Sequence, residues 1–116
     1  MRTSGQKINA SLKNQIIKSL AKVLVAFKKI NDADKFLRDF YTESELETFS
    51  KRLAIAYCLK KGRSYTNIRD NLKVSSATVA AVQSMMEKTS FQRALKELEA
   101  DEWASLWEKR IKKIIK

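Results

Sequence analysis

Five residues in one short stretch, Ser76, Thr78, Ala80, Ala81 and Gln83, have side chains suited to reading the edges of nucleic-acid bases. Hydroxyls and a carboxamide exchange hydrogen bonds with base donors and acceptors. Thr and Ala methyls meet a thymine methyl, and a Gln carboxamide pairs with adenine. Ala80 and Ala81 equally suit plain surface positions. Cations lie close by in the chain: Lys60, Lys61, Arg63, Arg69 and Lys73. Each can neutralise a backbone phosphate, and Thr66 and Asn67 can add neutral hydrogen bonds to phosphate oxygens. Rival chemistry is thin. The chain has no His and a single Cys, Cys58. No phosphate-cradling Gly loop occurs, so no nucleophile–base pair is visible. The expectation is a binding protein, not an enzyme, with no metal and no cofactor.

The elements that must position these groups are legible around them. The run SYTNIRDNLKVSSATVAAVQSMM, Ser64 to Met86, reads as two short helices and a tight turn. Ile68 and Leu72 lie one turn apart on the first helix, Val79 and Val82 on the second, and Val74 between the pairs plugs the angle. Ser64 caps a first helix over 65–71. Ser75 or Ser76 opens a second that extends to about Lys88. This is the layout of a helix-turn-helix, whose second helix enters the DNA major groove. The competing reading is an ordinary helical corner in an all-α core.

Composition favours the first reading. Lys and Arg number 24 against 13 Asp and Glu, a net charge of +11 on 116 residues. Such a surplus on a small domain implies a polyanionic partner, double-stranded DNA most simply. With no Pro and only two Gly, long helices with few connections are expected. One Cys cannot form an internal disulfide, which fits a reducing cytoplasm. No apolar run approaches membrane-spanning length, and residues 1–8 carry no signal-peptide core. The expected location is therefore cytoplasmic, without a membrane partner.

Upstream, a helical pattern runs from Ile8 to Ile30. Ile16, Leu20, Val23, Phe27 and Ile30 recur at heptad-like spacing, and Leu12, Ile17 and Leu24 widen the stripe. Its polar face holds Lys13, Lys18, Lys22, Lys28 and Lys29. Such a helix suits a partner-helix seam, a membrane surface or a phosphate-contacting face. A stripe of Ile, Leu and Val without Trp favours the seam, with Leu12, Ile16, Leu20, Val23, Phe27 and Ile30 as a homodimer interface. A break is expected at 31–34, then a short helix holding Phe36, Leu37 and Phe40. Thr42 and Glu45 form a capping-box pattern for a helix ending near Gly62. Its apolar face is read as Leu46, Phe49, Leu53, Ala56 and Leu59, flanked by Ile55 and Tyr57. Cys58 reads as a small buried hydrophobe. Thr89 and Ser90 give a further cap signal before Phe91, Ala94, Leu95 and Leu98. A last helical pattern carries Trp103, Leu106, Trp107, Ile111, Ile114 and Ile115 on one face. Lys109, Arg110, Lys112, Lys113 and Lys116 crowd its end, complementing the helix dipole or reaching phosphates.

FLRDFYTESELETFSKRLAIAYCLKKG followed by SYTNIRDNLKVSSATVAAV resembles the Trp-repressor-like family. Phe36-Leu37, Thr42, Glu45, Arg52-Leu53, Gly62, Leu72, Val74-Ser75 and Thr78-Val79 occupy the family's motif positions in order. The segment between Gly62 and Ile68 looks one residue shorter than in the tryptophan-binding members, which points to an uncharacterised branch. The resemblance implies an all-helical, intertwined homodimer that binds DNA. It also implies a corepressor site in which two Arg sandwich the indole. Arg52 fills the first place, but the second falls on Ala81, and a space-making Gly falls on Val82. Tryptophan binding is therefore not expected.

The sequence thus predicts one all-α domain over 1–116. It comprises a dimerisation helix in 1–30, a central helix in 42–62, a helix-turn-helix in 64–88 and C-terminal helices in 90–116. The expected function is sequence-specific DNA binding in transcription regulation, as activator or repressor. The alternative is a helical homodimeric interaction module that does not read DNA, which a second helix without charge before Glu87 would suit. Any small-molecule effector, the operator and the regulated genes stay open.

Overall fold

Asn9 sets where the first helix begins. Its side chain accepts from the Ser11 and Leu12 amides at 2.9 and 3.2 Å, so α1 spans Ala10–Ala26. The computed structural model describes residues 5–112, with the backbone alone at 102, 103 and 112. Expectations for Trp103, Lys112, Lys113, Ile114, Ile115 and Lys116 therefore lie outside the described side chains. Six more helices follow among the described residues: α2 Ile30–Phe40, α3 Glu43–Lys60, α4 Tyr65–Leu72, α5 Ser76–Met85, α6 Thr89–Glu99 and α7 Glu102–Lys112. The described fold is all-α. The chain divides into two compact units, Met1–Glu43 and Ser44–Lys116.

In the first unit the expected break is displaced. The helix that the heptad-like stripe carries to Ile30 stops at Ala26, and Phe27 takes extended backbone angles. Ile30 instead opens α2, so the break falls at 27–29 rather than 31–34. Aromatic packing explains the difference. The Phe27 ring lies 5.2 Å from Phe36, Phe36 stacks on Phe40 at 5.0 Å, and Phe40 meets Tyr41 edge-on at 5.3 Å. Folding Phe27 back onto α2 requires the chain to turn, and ring pairs of this kind gain more than their area alone. No residue of α1 is buried.

The second unit is built around one turn of α3. Ile55, Ala56, Tyr57 and Cys58 are all buried in succession, which wraps the helix completely. Ile68, Val79, Val82, Leu95, Ala104 and Ile111 close round it from the later helices. This corrects the expected face: Phe49 and Leu53 are exposed, while Ile55 and Tyr57, expected as flanks, are core. A helix buried on every side has no amphipathic period to read. Cys58 is buried, and burial first, with Glu108 adding to it, pushes its thiol up to about 11.

Local chemistry fixes the joints. α3 ends in a double turn: Arg63 N–H donates to Cys58 O and Gly62 N–H to Leu59 O, both at 3.0 Å. Gly62 sits at φ 84°, which a side chain resists. α5 ends at Met85, three residues before the expected Lys88. The amides of Met86, Glu87 and Lys88 tighten to carbonyls three residues back. α6 starts at Thr89 after an uncapped Lys88, so Thr89 and Ser90 lie inside the helix rather than before it.

Candidate nucleic-acid interface

The two helices of the motif are capped as the residue types require. Ser64 Oγ accepts from the Asn67 amide at 3.1 Å, and Ser75 Oγ from the Thr78 amide at 3.1 Å. Ile68 of α4 and Val79 and Val82 of α5 are buried in the common core, with Leu72 and Val74 half-buried against it. The turn between the helices depends on Lys73, the one described non-glycine residue with positive φ (56°, ψ 55°). Its amide donates to Arg69 O at 2.9 Å.

All five expected base-reading residues are exposed on α5. The helix does not bring them onto a single face. Ser76, Ala80 and Gln83, at spacings of four and three, share one side. Ala81 lies on the next, together with Ala77 and Ser84, which the sequence reading passed over. Thr78 is turned the other way. Its hydroxyl lies 3.0 Å from Ser75 Oγ, within the cap. Gln83 also has an unforeseen partner, because its Oε1 accepts from the Tyr65 hydroxyl at the start of α4.

The cations divide into two groups. Lys60 Nζ lies 3.2 Å from Glu99 Oε1 on α6. Arg63 pairs with Glu108 on α7, their side chains only 19% and 13% exposed. These two tie the C-terminal helices to the end of α3. Lys61 is exposed and lies over the Tyr57 ring at 5.3 Å. Lys73 is exposed in the turn, and neither lysine carries an ion pair among the described residues. Arg69 is half-buried, its Nη2 donating to Thr66 Oγ1 at 3.3 Å. Asn67 is half-buried, with its carbonyl accepting from Asn71 Nδ2 at 2.8 Å. No sequence signal marked Glu99 and Glu108 as partners, since both lie far along the chain from Lys60 and Arg63.

A pocket of about 360 Å³ opens between α3 and α5, lined by Thr48, Arg52, Ile55, Thr78 and Val82 among others. Arg52 lies over the Phe49 ring at 5.6 Å. Val82, only 2% exposed, is part of the core.

An all-helical chain with a capped helix-turn-helix and a basic composition narrows the families it fits. A family model described as Trp repressor protein matches residues 15–99. The chain belongs to the Trp repressor family. That family is one of DNA-binding transcriptional regulators, not of enzymes. No curated protein and no solved structure matches the chain. No helix among the described residues is long and apolar enough to cross a membrane, and no described group of His, Cys, Asp and Glu could hold a metal ion.

Proposed function

We propose that this Trp repressor family member is a sequence-specific DNA-binding transcriptional regulator that works in the cytoplasm as a homodimer and does not respond to tryptophan. One observation carries the reading. α5 lies against α4 and sends Val79 and Val82 into the same core as Ile68, while Ser76, Ala80, Ala81 and Gln83 stand exposed along it. A helix with small, hydrogen-bonding, uncharged residues outward is suited to close approach in a major groove. Affinity then comes from phosphate contacts by Lys61, Arg69 and Lys73, with Thr66 and Asn67 beside them. Lys60 and Arg63 contribute charge to the field while they hold the C-terminal helices.

The dimer reading rests on α1. A helix of 17 residues that buries nothing is marginal on its own in water. Leu12, Ile16 and Val23 are exposed, and Leu20 is half-buried. They form the proposed interface, with Phe27 at its end and Ile30 contributed from α2. The intertwined arrangement of the family would cover them. Against tryptophan stand Ala81, which offers no guanidinium, and Val82, whose isopropyl group fills space. Arg52 is read as an inter-helix or phosphate contact.

The rival reading, a homodimeric interaction module that does not read DNA, draws on the uncharged face of α5 and on the paired state of Lys60 and Arg63. Selection of bound sequences from random duplex DNA, with a low-salt titration on generic duplex, tests both. A recovered two-fold site supports the regulator. Absence of any duplex binding at low salt refutes it in favour of the module.

A further inference from the structure

The hydrogen bond between Tyr65 and Gln83 bears on which base Gln83 reads. The pair joins the first residue of α4 to the C-terminal half of α5, across 18 residues of sequence. Both side chains are exposed on the surface of the motif. A free Gln carboxamide carries two donors on Nε2 and two acceptor sites on Oε1, and it turns either end outward. In that state it matches adenine, donating to N7 and accepting from the N6 amino group. Here the Tyr65 O–H donates to Oε1. That bond holds the acceptor end of the carboxamide toward α4 and leaves the Nε2 donors as the end free to turn outward.

We infer that Tyr65 is a positioning residue that makes Gln83 a donor-only reader, selecting guanine over adenine at the base it faces. Guanine presents two acceptors, N7 and O6, and no donor on its major-groove edge. It therefore satisfies both Nε2 hydrogens without calling on Oε1. Adenine places its N6 donor where no acceptor faces it, because Oε1 is turned toward Tyr65, and an unmatched donor at a desolvated contact is costly. Thymine offers a single acceptor beside a methyl group. The inference rests on the DNA-reading function proposed above and assigns the specificity of one of its contacts. Sequence alone points Gln83 at adenine, and the phenol across the motif changes that assignment.

The test compares sites selected from random duplex DNA by the full-length protein, by Tyr65→Phe and by Gln83→Ala. Tyr65→Phe keeps the ring and removes only the hydroxyl. The unaltered protein is expected to enrich guanine at one symmetric pair of positions. Gln83→Ala identifies those positions by flattening them. Tyr65→Phe is expected to admit adenine there to within about threefold of guanine, with every other position unchanged. A merely structural role for Tyr65 would lower affinity for all sites alike and leave the base profile intact, which overturns the inference. So does adenine enrichment by the unaltered protein at the Gln83 positions. A clear two-fold site with an unchanged Tyr65→Phe profile sinks this assignment while the regulator reading stands. Failure of the unaltered protein to bind duplex DNA at all removes both.

Discussion

Ile16→Asp separates the fold of one protomer from the association of two. In the single chain Ile16 is 53% exposed, so its replacement removes little that a lone protomer buries. In the proposed dimer the same side chain lies at the seam, once from each subunit. Completing the burial of a half-exposed Ile gains about 1 kcal/mol, half of the usual value for a whole aliphatic side chain. Losing that on both sides, and placing two carboxylates at an apolar contact, costs at least about 4 kcal/mol in association. That is roughly a thousandfold in Kd. The assay is sedimentation equilibrium across protein concentration, with circular dichroism on the same samples. The unaltered chain is expected to sediment as a dimer at micromolar concentration, and Ile16→Asp as a monomer or a partly unfolded chain. Exposure alone also ranks the positions, because Leu20 is half-buried already. Leu20→Asp is therefore expected to lower helicity as well as dimerisation. A fully helical, stable monomer of the unaltered protein would falsify the seam, and so would an undiminished dimer in Ile16→Asp.

Other expectations follow from particular contacts. Glu108→Gln leaves Arg63 half-buried without its counter-charge, which should cost about 1–3 kcal/mol in chemical denaturation; an unchanged midpoint would show that the pair contributes nothing. Lys73→Gly relieves a left-handed residue of about 1 kcal/mol but adds chain entropy of similar size, so stability should stay within about 0.5 kcal/mol or rise. A loss above 1 kcal/mol would contradict that account. On duplex DNA, Lys61→Ala should weaken specific and random binding alike and make the salt slope shallower by about one; an effect confined to the specific site would reassign Lys61 to base contact. Half-sites recovered by selection should lie about 34–36 Å apart, one helical turn. Calorimetry with tryptophan should show no binding heat, and a micromolar site would overturn the argument from Ala81 and Val82.

What could be read from the sequence was what local chemistry decides. The caps at Ser64 and Ser75 depend on a hydroxyl and an amide three residues away, so residue type sufficed. The same holds for Gly62, which lacks a Cβ and stands just past the helix end, where a positive φ closes the turn. The burial of Ile68, Val79 and Val82 was legible because α4 and α5 each keep one apolar side. The end of α1 was not, since it depends on Phe27 meeting Phe36 across a turn. Nor was the whole core of α3: Ala56 and Cys58 read as buried, but Ile55 and Tyr57 only as flanks, because a turn buried all round leaves no periodic trace. At the candidate interface the exposed face of α5 was foreseen as a set of residues, yet not its division between Thr78 and the others. Helical spacing sets that division, and the Ser75 hydroxyl beside Thr78 engages it in the cap. The loss of Lys60 and Arg63 to Glu99 and Glu108 depends on helices that arrive much later in the chain.

The state of Cys58 has a practical consequence. It is the single thiol in the chain, fully buried, with its ionisation pushed up to about 11. Only the thiolate attacks an alkylating reagent, and two units of displacement leave roughly a hundredfold fewer thiolates at neutral pH than an exposed cysteine carries. A fluorophore or spin label directed at a cysteine introduced on the surface, at Ser84 for instance, would therefore find one fast site and leave the native thiol unmodified. Distances between two such probes in an assembled pair of subunits could then be measured on a chain whose core had not been altered to make the measurement possible.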